Sequence, residues 1–101
     1  MTQREKEILN SIIDVLIGYF NSNRIILFGS RTRQKFSRNT DFDLAVDNEE
    51  KVNIRLERKI KEKIEGISGL YKVDIIFLNS VDQEFKEIIL KTRRRIYERN
   101  S

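Results

Sequence analysis

Apolar residues in the first twenty positions recur at helical spacing. Ile8, Ile12, Leu16 and Phe20, with Ile13 and Val15, form one stripe, and Thr2 and Glu5 stand at capping-box spacing ahead of it. Residues 2–21 therefore read as an amphipathic helix. The period then changes. The run 24-RIILF-28 is short, unbroken and stopped by Gly29, which predicts a buried strand. Residues 31–40 are polar and basic around a single large apolar residue, Phe36, and read as a loop with room for one helical turn. In 41-DFDLAV-46 the period is two: Phe42, Leu44 and Val46 fall on one face, Asp41, Asp43 and Ala45 on the other. Helical spacing returns over residues 48–66, with Val52, Leu56, Ile60, Ile64 and Ile67 inward and Gly66 and Gly69 as terminators. A third strand is expected at 72-KVDIIFL-78. Ser80 and Gln83 are spaced to cap a last helix carrying Val81, Phe85, Ile88 and Ile89 inward. The tail 93-RRRIYE-98 suits either an extension of that helix or a short strand.

The order helix, strand, strand, helix, strand, helix predicts an α/β or α+β domain, a small sheet covered by helices. We expect one domain over residues 1–101, since neither a repeat nor a linker interrupts the pattern. Composition narrows the chemistry. With 39 % hydrophobic and 36 % charged residues, the chain fits a soluble globular protein with a charged surface. It has no Cys, so disulfides and thiolate metal sites are excluded; it has no His, which removes imidazole-bound zinc, a Ser-His-Asp triad and a histidine base. Any metal must be held by oxygen, which favours Mg²⁺ or Mn²⁺. No apolar run approaches the length of a membrane span, and residues 1–10 are too charged for a signal peptide, so a cytoplasmic location is expected. The net charge of +4 and pI near 9.5 suit a polyphosphate, a nucleic acid or an acidic partner, and equally a Lys-rich surface with no ligand.

Three features carry candidate chemistry. Gly29-Ser30 ends an apolar strand, where α/β sheets present ligands; a Gly permits close backbone approach to an anion, and the turn offers N–H groups and a hydroxyl. An ordinary turn has the same residues. Asp41 and Asp43, two apart on a strand, place carboxylates on one face roughly 7 Å apart at their Cα atoms. Their mutual repulsion is relieved by a divalent cation, although a solvated sheet face also tolerates them. Asp74 interrupts an otherwise apolar strand, where a charge needs a partner. If its strand lies beside that of Asp41 and Asp43, the three carboxylates meet; an edge position or a salt bridge is the alternative.

Together these residues resemble the nucleotidyltransferase superfamily that includes DNA polymerase β and kanamycin nucleotidyltransferase. That motif is Gly-Ser, a spacer of about ten residues, Asp-x-Asp, and a third carboxylate on a later strand. Here Gly29-Ser30 is followed by ten residues, then Asp41-Phe42-Asp43, and later Asp74. The words 29-GSRTR-33 and 41-DFDLAV-46 look like the minimal prokaryotic branch, often called MNT, whose members pair with a helical HEPN protein. The likeness runs over roughly residues 6–98, including 96-IYE-98. Two positions depart from it: Gln34 stands where the branch usually has Gly, and Thr40 where it usually has Ser.

The resemblance implies a nucleotidyltransferase fold with a small mixed sheet flanked by helices. It implies that Gly29 and Ser30 hold the β- and γ-phosphates, and that Asp41 and Asp43 bind Mg²⁺ (or Mn²⁺). Asp74 would bind the catalytic metal and activate the acceptor hydroxyl. Arg31 and Arg33 are candidates for phosphate contacts, since guanidinium groups fork onto phosphate, or else are solvated loop residues. The implied reaction moves a nucleoside monophosphate, AMP from ATP, onto a hydroxyl. In the HEPN-paired branch the acceptor is a tyrosine of the partner, an antitoxin role in a hetero-oligomer. The rival reading is a non-catalytic nucleotide- or partner-binding module of a toxin–antitoxin complex. A second rival is nucleic-acid binding by Lys91, Arg93, Arg94 and Arg95, near Tyr97 as an exposed aromatic. A solvated helix end, favoured by the helix dipole, explains that cluster without nucleic acid.

Overall fold

The computed structural model describes residues 2–20, 24–28, 41–49 and 51–98. The first helix, α1 (Gln3–Tyr19), starts as its sequence predicts. The Thr2 hydroxyl accepts from the Glu5 amide at 3.1 Å and the Glu5 carboxylate accepts from the Thr2 amide at 3.1 Å, closing the capping box. The Thr2 amide, and then its hydroxyl, hold the Glu5 carboxyl below its ordinary range. The box is therefore fully present near neutral pH and is lost as pH falls through that depressed value.

Four strands follow in one mixed sheet: β1 (Arg24–Phe28), β2 (Phe42–Val46), β3 (Val73–Phe77) and β4 (Arg93–Glu98). Their spatial order is β3-β2-β1-β4, with β1 antiparallel to both neighbours and β2 parallel to β3. A parallel pair needs a crossover, here supplied by α2 (Ile54–Ser68). Helix α3 (Gln83–Lys91) joins β3 to β4 after a short 3₁₀ turn at Leu78–Ser80.

The sheet has two covered faces. Ile25, Leu27, Phe42, Leu44, Val46, Ile75 and Phe77 pack with α1 and with Ile60 and Ile64 of α2. Ile26, Phe28 and Ala45 pack under Ile89 of α3 and Leu78. This explains why 25-IILF-28 is apolar throughout: a central strand covered on both sides has no polar face. It also confirms the alternation of β2, whose Phe42, Leu44 and Val46 face one core while Ala45 faces the other.

Several boundaries differ from the sequence reading, each for a local reason. Helix α2 starts at Ile54, because Asn53 is its cap and its Oδ1 accepts from the Leu56 amide at 2.8 Å. Residues 48 and 49 instead tie the end of β2 to the turn after β3. The Asn48 Oδ1 accepts from the Asn79 amide at 3.2 Å, and the Asn79 side-chain amide donates to the Glu49 carbonyl. Gly66 lies inside α2; the helix ends at Gly69, whose φ of 60° and ψ of −116° suit a residue without Cβ. Helix α3 is capped by Asp82, whose Oδ1 accepts from the Phe85 amide at 2.7 Å, while Ser80 belongs to the preceding turn. Asp82→Ala is expected to cost about 1 kcal/mol of folding free energy, read from the midpoint of urea unfolding.

The tail is a strand. Thr92 ends α3, its hydroxyl donating to the Ile88 carbonyl at 2.8 Å, and Arg93–Glu98 then pairs along β1. The basic cluster is thus a helix end only at Lys91. Tyr97 is half-buried against the α1–α2 core and is not an exposed aromatic. Among the described residues no helix is long and apolar enough to cross a membrane.

Candidate functional site

The parallel pairing of β2 with β3 sets Asp43 opposite Asp74 as direct Cα partners. Parallel neighbours lie about 4.8 Å apart and partner side chains share a face. The sequence left open whether the third strand would lie beside the second; the crossover through α2 places it there. The face is that of α3, since Ala45 and Ile76, two residues beyond Asp43 and Asp74, pack into the α3 core. Asp43 is 5 % exposed and Asp74 is half-buried. Two carboxylates held this close repel each other, and a cation between them removes that cost.

Asp41 stands just before β2 and is exposed. Its amide donates to the Lys72 carbonyl at 2.8 Å and its Oδ2 accepts from the Lys72 amide at 2.9 Å. This clamp fixes the register at which β2 and β3 begin and holds Asp41 at the same strand end as Asp43 and Asp74. Among the described residues no three carboxylates stand close enough together to hold a metal, because Asp41 is turned onto Lys72. Lys72 was not a candidate from the sequence. It acts through its backbone, which leaves no side-chain signal to read.

The opposite neighbour of Asp43 is Phe28, the last residue of β1, and the partner of Phe28 on β4 is Arg93. The carboxylates therefore sit beside the C-terminal end of β1, from which the chain runs into Gly29-Ser30. Gly29, Ser30, Arg31, Arg33, Gln34 and Thr40 lie outside the described residues. On the other side β3 is an edge strand. A groove of about 540 Å³ runs along it between α2 and the 69–72 turn and reaches Asp74. Asp43 and Asp74 offer only oxygen atoms, the donor type a hard divalent cation takes.

Asp43 thus lies buried in β2 beside a parallel strand carrying Asp74, with Asp41 exposed just ahead of β2. The chain matches the family described as "Polymerase beta, Nucleotidyltransferase" over residues 10–101. It belongs to that family. The mixed sheet with its three helices is accordingly a nucleotidyltransferase fold, and the protein is a nucleotidyltransferase. It is 28 % identical over 87 residues to the "Probable protein adenylyltransferase MntA" of Haemophilus influenzae, across 86 % of this chain and 74 % of that protein. The solved structure described as "Crystal structure the toxin-antitoxin MntA-HepT" superposes with a TM-score of 0.67 at 20 % identity, covering 88 % of this chain and 68 % of that one. The structure described as "Crystal structure of the toxin-antitoxin with AMP-PNP" gives 0.65 at 23 % identity, covering 84 % and 68 %. At these identities both speak for the fold. The resemblance to the minimal branch holds.

Proposed function

We propose that this nucleotidyltransferase moves AMP from ATP onto a tyrosine hydroxyl of a HEPN-type partner, acting as the antitoxin of a cytoplasmic toxin–antitoxin pair in a hetero-oligomer. The observation that carries the site is the Asp43–Asp74 pairing at the end of β1. The adenylyltransferase relative, the neighbour crystallised with AMP-PNP and the toxin–antitoxin neighbours support the nucleotide and the partner.

Asp41, Asp43 and Asp74 would hold Mg²⁺ or Mn²⁺, with Asp41 exchanging the Lys72 amide for the cation. The ion would neutralise phosphate charge and hold the nucleotide against the carboxylates. Gly29 and Ser30 would cradle the β- and γ-phosphates, with Arg31 and Arg33 as further phosphate donors. In the transfer, the acceptor oxygen bonds to the α-phosphorus and the bond from that phosphorus to the bridging β-oxygen breaks. Pyrophosphate leaves with the electron pair, and the hydroxyl proton passes to Asp74. Chemistry of this kind needs positioning and charge neutralisation, not a protein nucleophile.

The test is transfer of label from α-phosphate-labelled ATP, with Mg²⁺, onto the co-purified partner. We expect label on the partner with the wild-type chain and none with the double variant Asp41→Ala/Asp43→Ala. A stable complex that takes up no label from any nucleoside triphosphate would favour a partner-binding module instead.

A further inference from the structure

The basic segment at the start of β4 has no task in the reading above. Its register gives it one. Across the four strands, Asp74, Asp43, Phe28 and Arg93 form one row of Cα partners. Partners share a face, so Arg93 starts on the carboxylate face, two strand spacings or about 10 Å from Asp43. The pairing of β1 with β4 is irregular at this point: Leu27 pairs with Arg95, but Phe28 pairs with Arg93, so Arg94 is the extra residue of a bulge. Ile96 packs into the α3 core. Two residues back, Arg94 falls on that face too, and the bulge sets both arginines opposite Phe28. Bulges of this kind re-aim side chains and are common beside active sites.

Both arginines are exposed, and among the described residues neither has a carboxylate within salt-bridge distance. The far end of the same strand pair is different. There Arg24 has Asp47 at 3.9 Å and Glu98 at 3.8 Å. Between the arginines and the acidic pair stands Phe28, 1 % exposed, an apolar spacer that keeps cation and carboxylate apart. One row therefore runs acidic, apolar, basic, and ends beside the C-terminus of β1. A metal held at the acidic end neutralises part of a triphosphate; the remaining phosphate oxygens need donors at a fixed distance, and arginine supplies a planar fork.

We infer that Arg93 and Arg94 bind the pyrophosphate end of the nucleoside triphosphate, an inference that rests on the nucleotide site proposed above. A nucleic-acid backbone would satisfy the same charges. The observations favour the triphosphate, because the arginines share a row with the carboxylates and because Tyr97, the aromatic of this segment, is half-buried against the opposite core, away from the arginine face.

The test is calorimetric titration of the full chain with Mg²⁺-ATP, Mg²⁺-GTP, AMP and inorganic pyrophosphate, for wild type, Arg93→Ala, Arg94→Ala, the double variant and Arg93→Lys. Each alanine variant is expected to weaken ATP and pyrophosphate about tenfold, with AMP within twofold of wild type. ATP and GTP should fall by the same factor, since a phosphate contact ignores the base. Arg93→Lys, which keeps charge but not the fork, should recover part of the loss. A double variant that binds ATP like wild type overturns the inference, as does an equal loss for ATP and AMP, which signals structural damage. Unchanged ATP affinity with weakened, steeply salt-dependent binding of a single-stranded RNA also overturns it and makes the cluster a nucleic-acid surface. A wild-type chain that binds neither ATP nor pyrophosphate overturns this inference and the nucleotide site together. Wild-type binding that Asp43→Asn weakens but the arginine variants keep overturns this inference alone.

Discussion

Asp43→Asn is expected to lower nucleotidyl transfer by about 10³-fold or more while leaving the chain folded. Asp43 is 5 % exposed near the start of β2, flanked by Phe28 on one side and Asp74 on the other. Asparagine keeps the shape and one acceptor oxygen, so it fits the same place in the strand. What it removes is one of two adjacent negative charges. The consequence for stability has a definite sign. Without a divalent cation, the variant should melt at or above the wild-type temperature, because the repulsion with Asp74 is gone. With Mg²⁺ and nucleotide the wild type should gain stability by mass action and the variant should not. Thermal unfolding of both proteins, with and without Mg²⁺-ATP, checks this alongside the transfer assay. A variant that melts far below wild type without metal would assign Asp43 to the fold instead of the site.

Phe42→Ala should have the opposite signature: a loss of about 3–5 kcal/mol of stability, with or without ligand. Phe42 is 1 % exposed and lies between the two aspartates, packed into the α1–α2 core with its ring 6.0 Å from that of Tyr71. Truncation removes a full aromatic side chain from a dense interior and leaves a cavity. Measured against a typical domain stability of about 5–15 kcal/mol, the loss is a large share. The melting temperature should drop by about 12 °C or more. Phe42 also fixes the direction of its neighbour: with its ring held in one core, Asp43 must face the other side of the sheet. Residual transfer at low temperature, with the melting point depressed equally in the presence and absence of Mg²⁺-ATP, separates this variant from Asp43→Asn. A change of less than about 1 kcal/mol in denaturant unfolding would show that the ring is not load for this core.

What could be read from the chain alone was whatever depends on neighbours close in sequence. The capping box at Thr2 and Glu5 is such a case, and so are the helical stripes of α1 and α2 and the two-residue alternation that puts Asp43 opposite in sense to Phe42 and Leu44. The spacing of Gly29-Ser30, Asp41, Asp43 and Asp74 was sufficient to suggest the family to which the chain belongs. Two helix starts were misread because contacts distant in sequence decide them. The helix expected from residue 48 starts at Ile54, since Asn48 is held by Asn79 and Asn53 is the cap. The cap expected at Ser80 is Asp82, since Ser80 belongs to the 3₁₀ turn after β3.

Helix α1, the strand character of β1 to β3 and the identity of the acidic residues were thus set by local pattern, because side-chain period and capping chemistry act over a few residues. Strand order is set by which surfaces the whole chain can bury, and only the folded sheet decides it. Through it Asp74 came to lie beside Asp43, Asp41 was clamped by a backbone with no sequence signature, the ambiguous tail became β4, and two arginines far from the acidic motif in sequence joined its row.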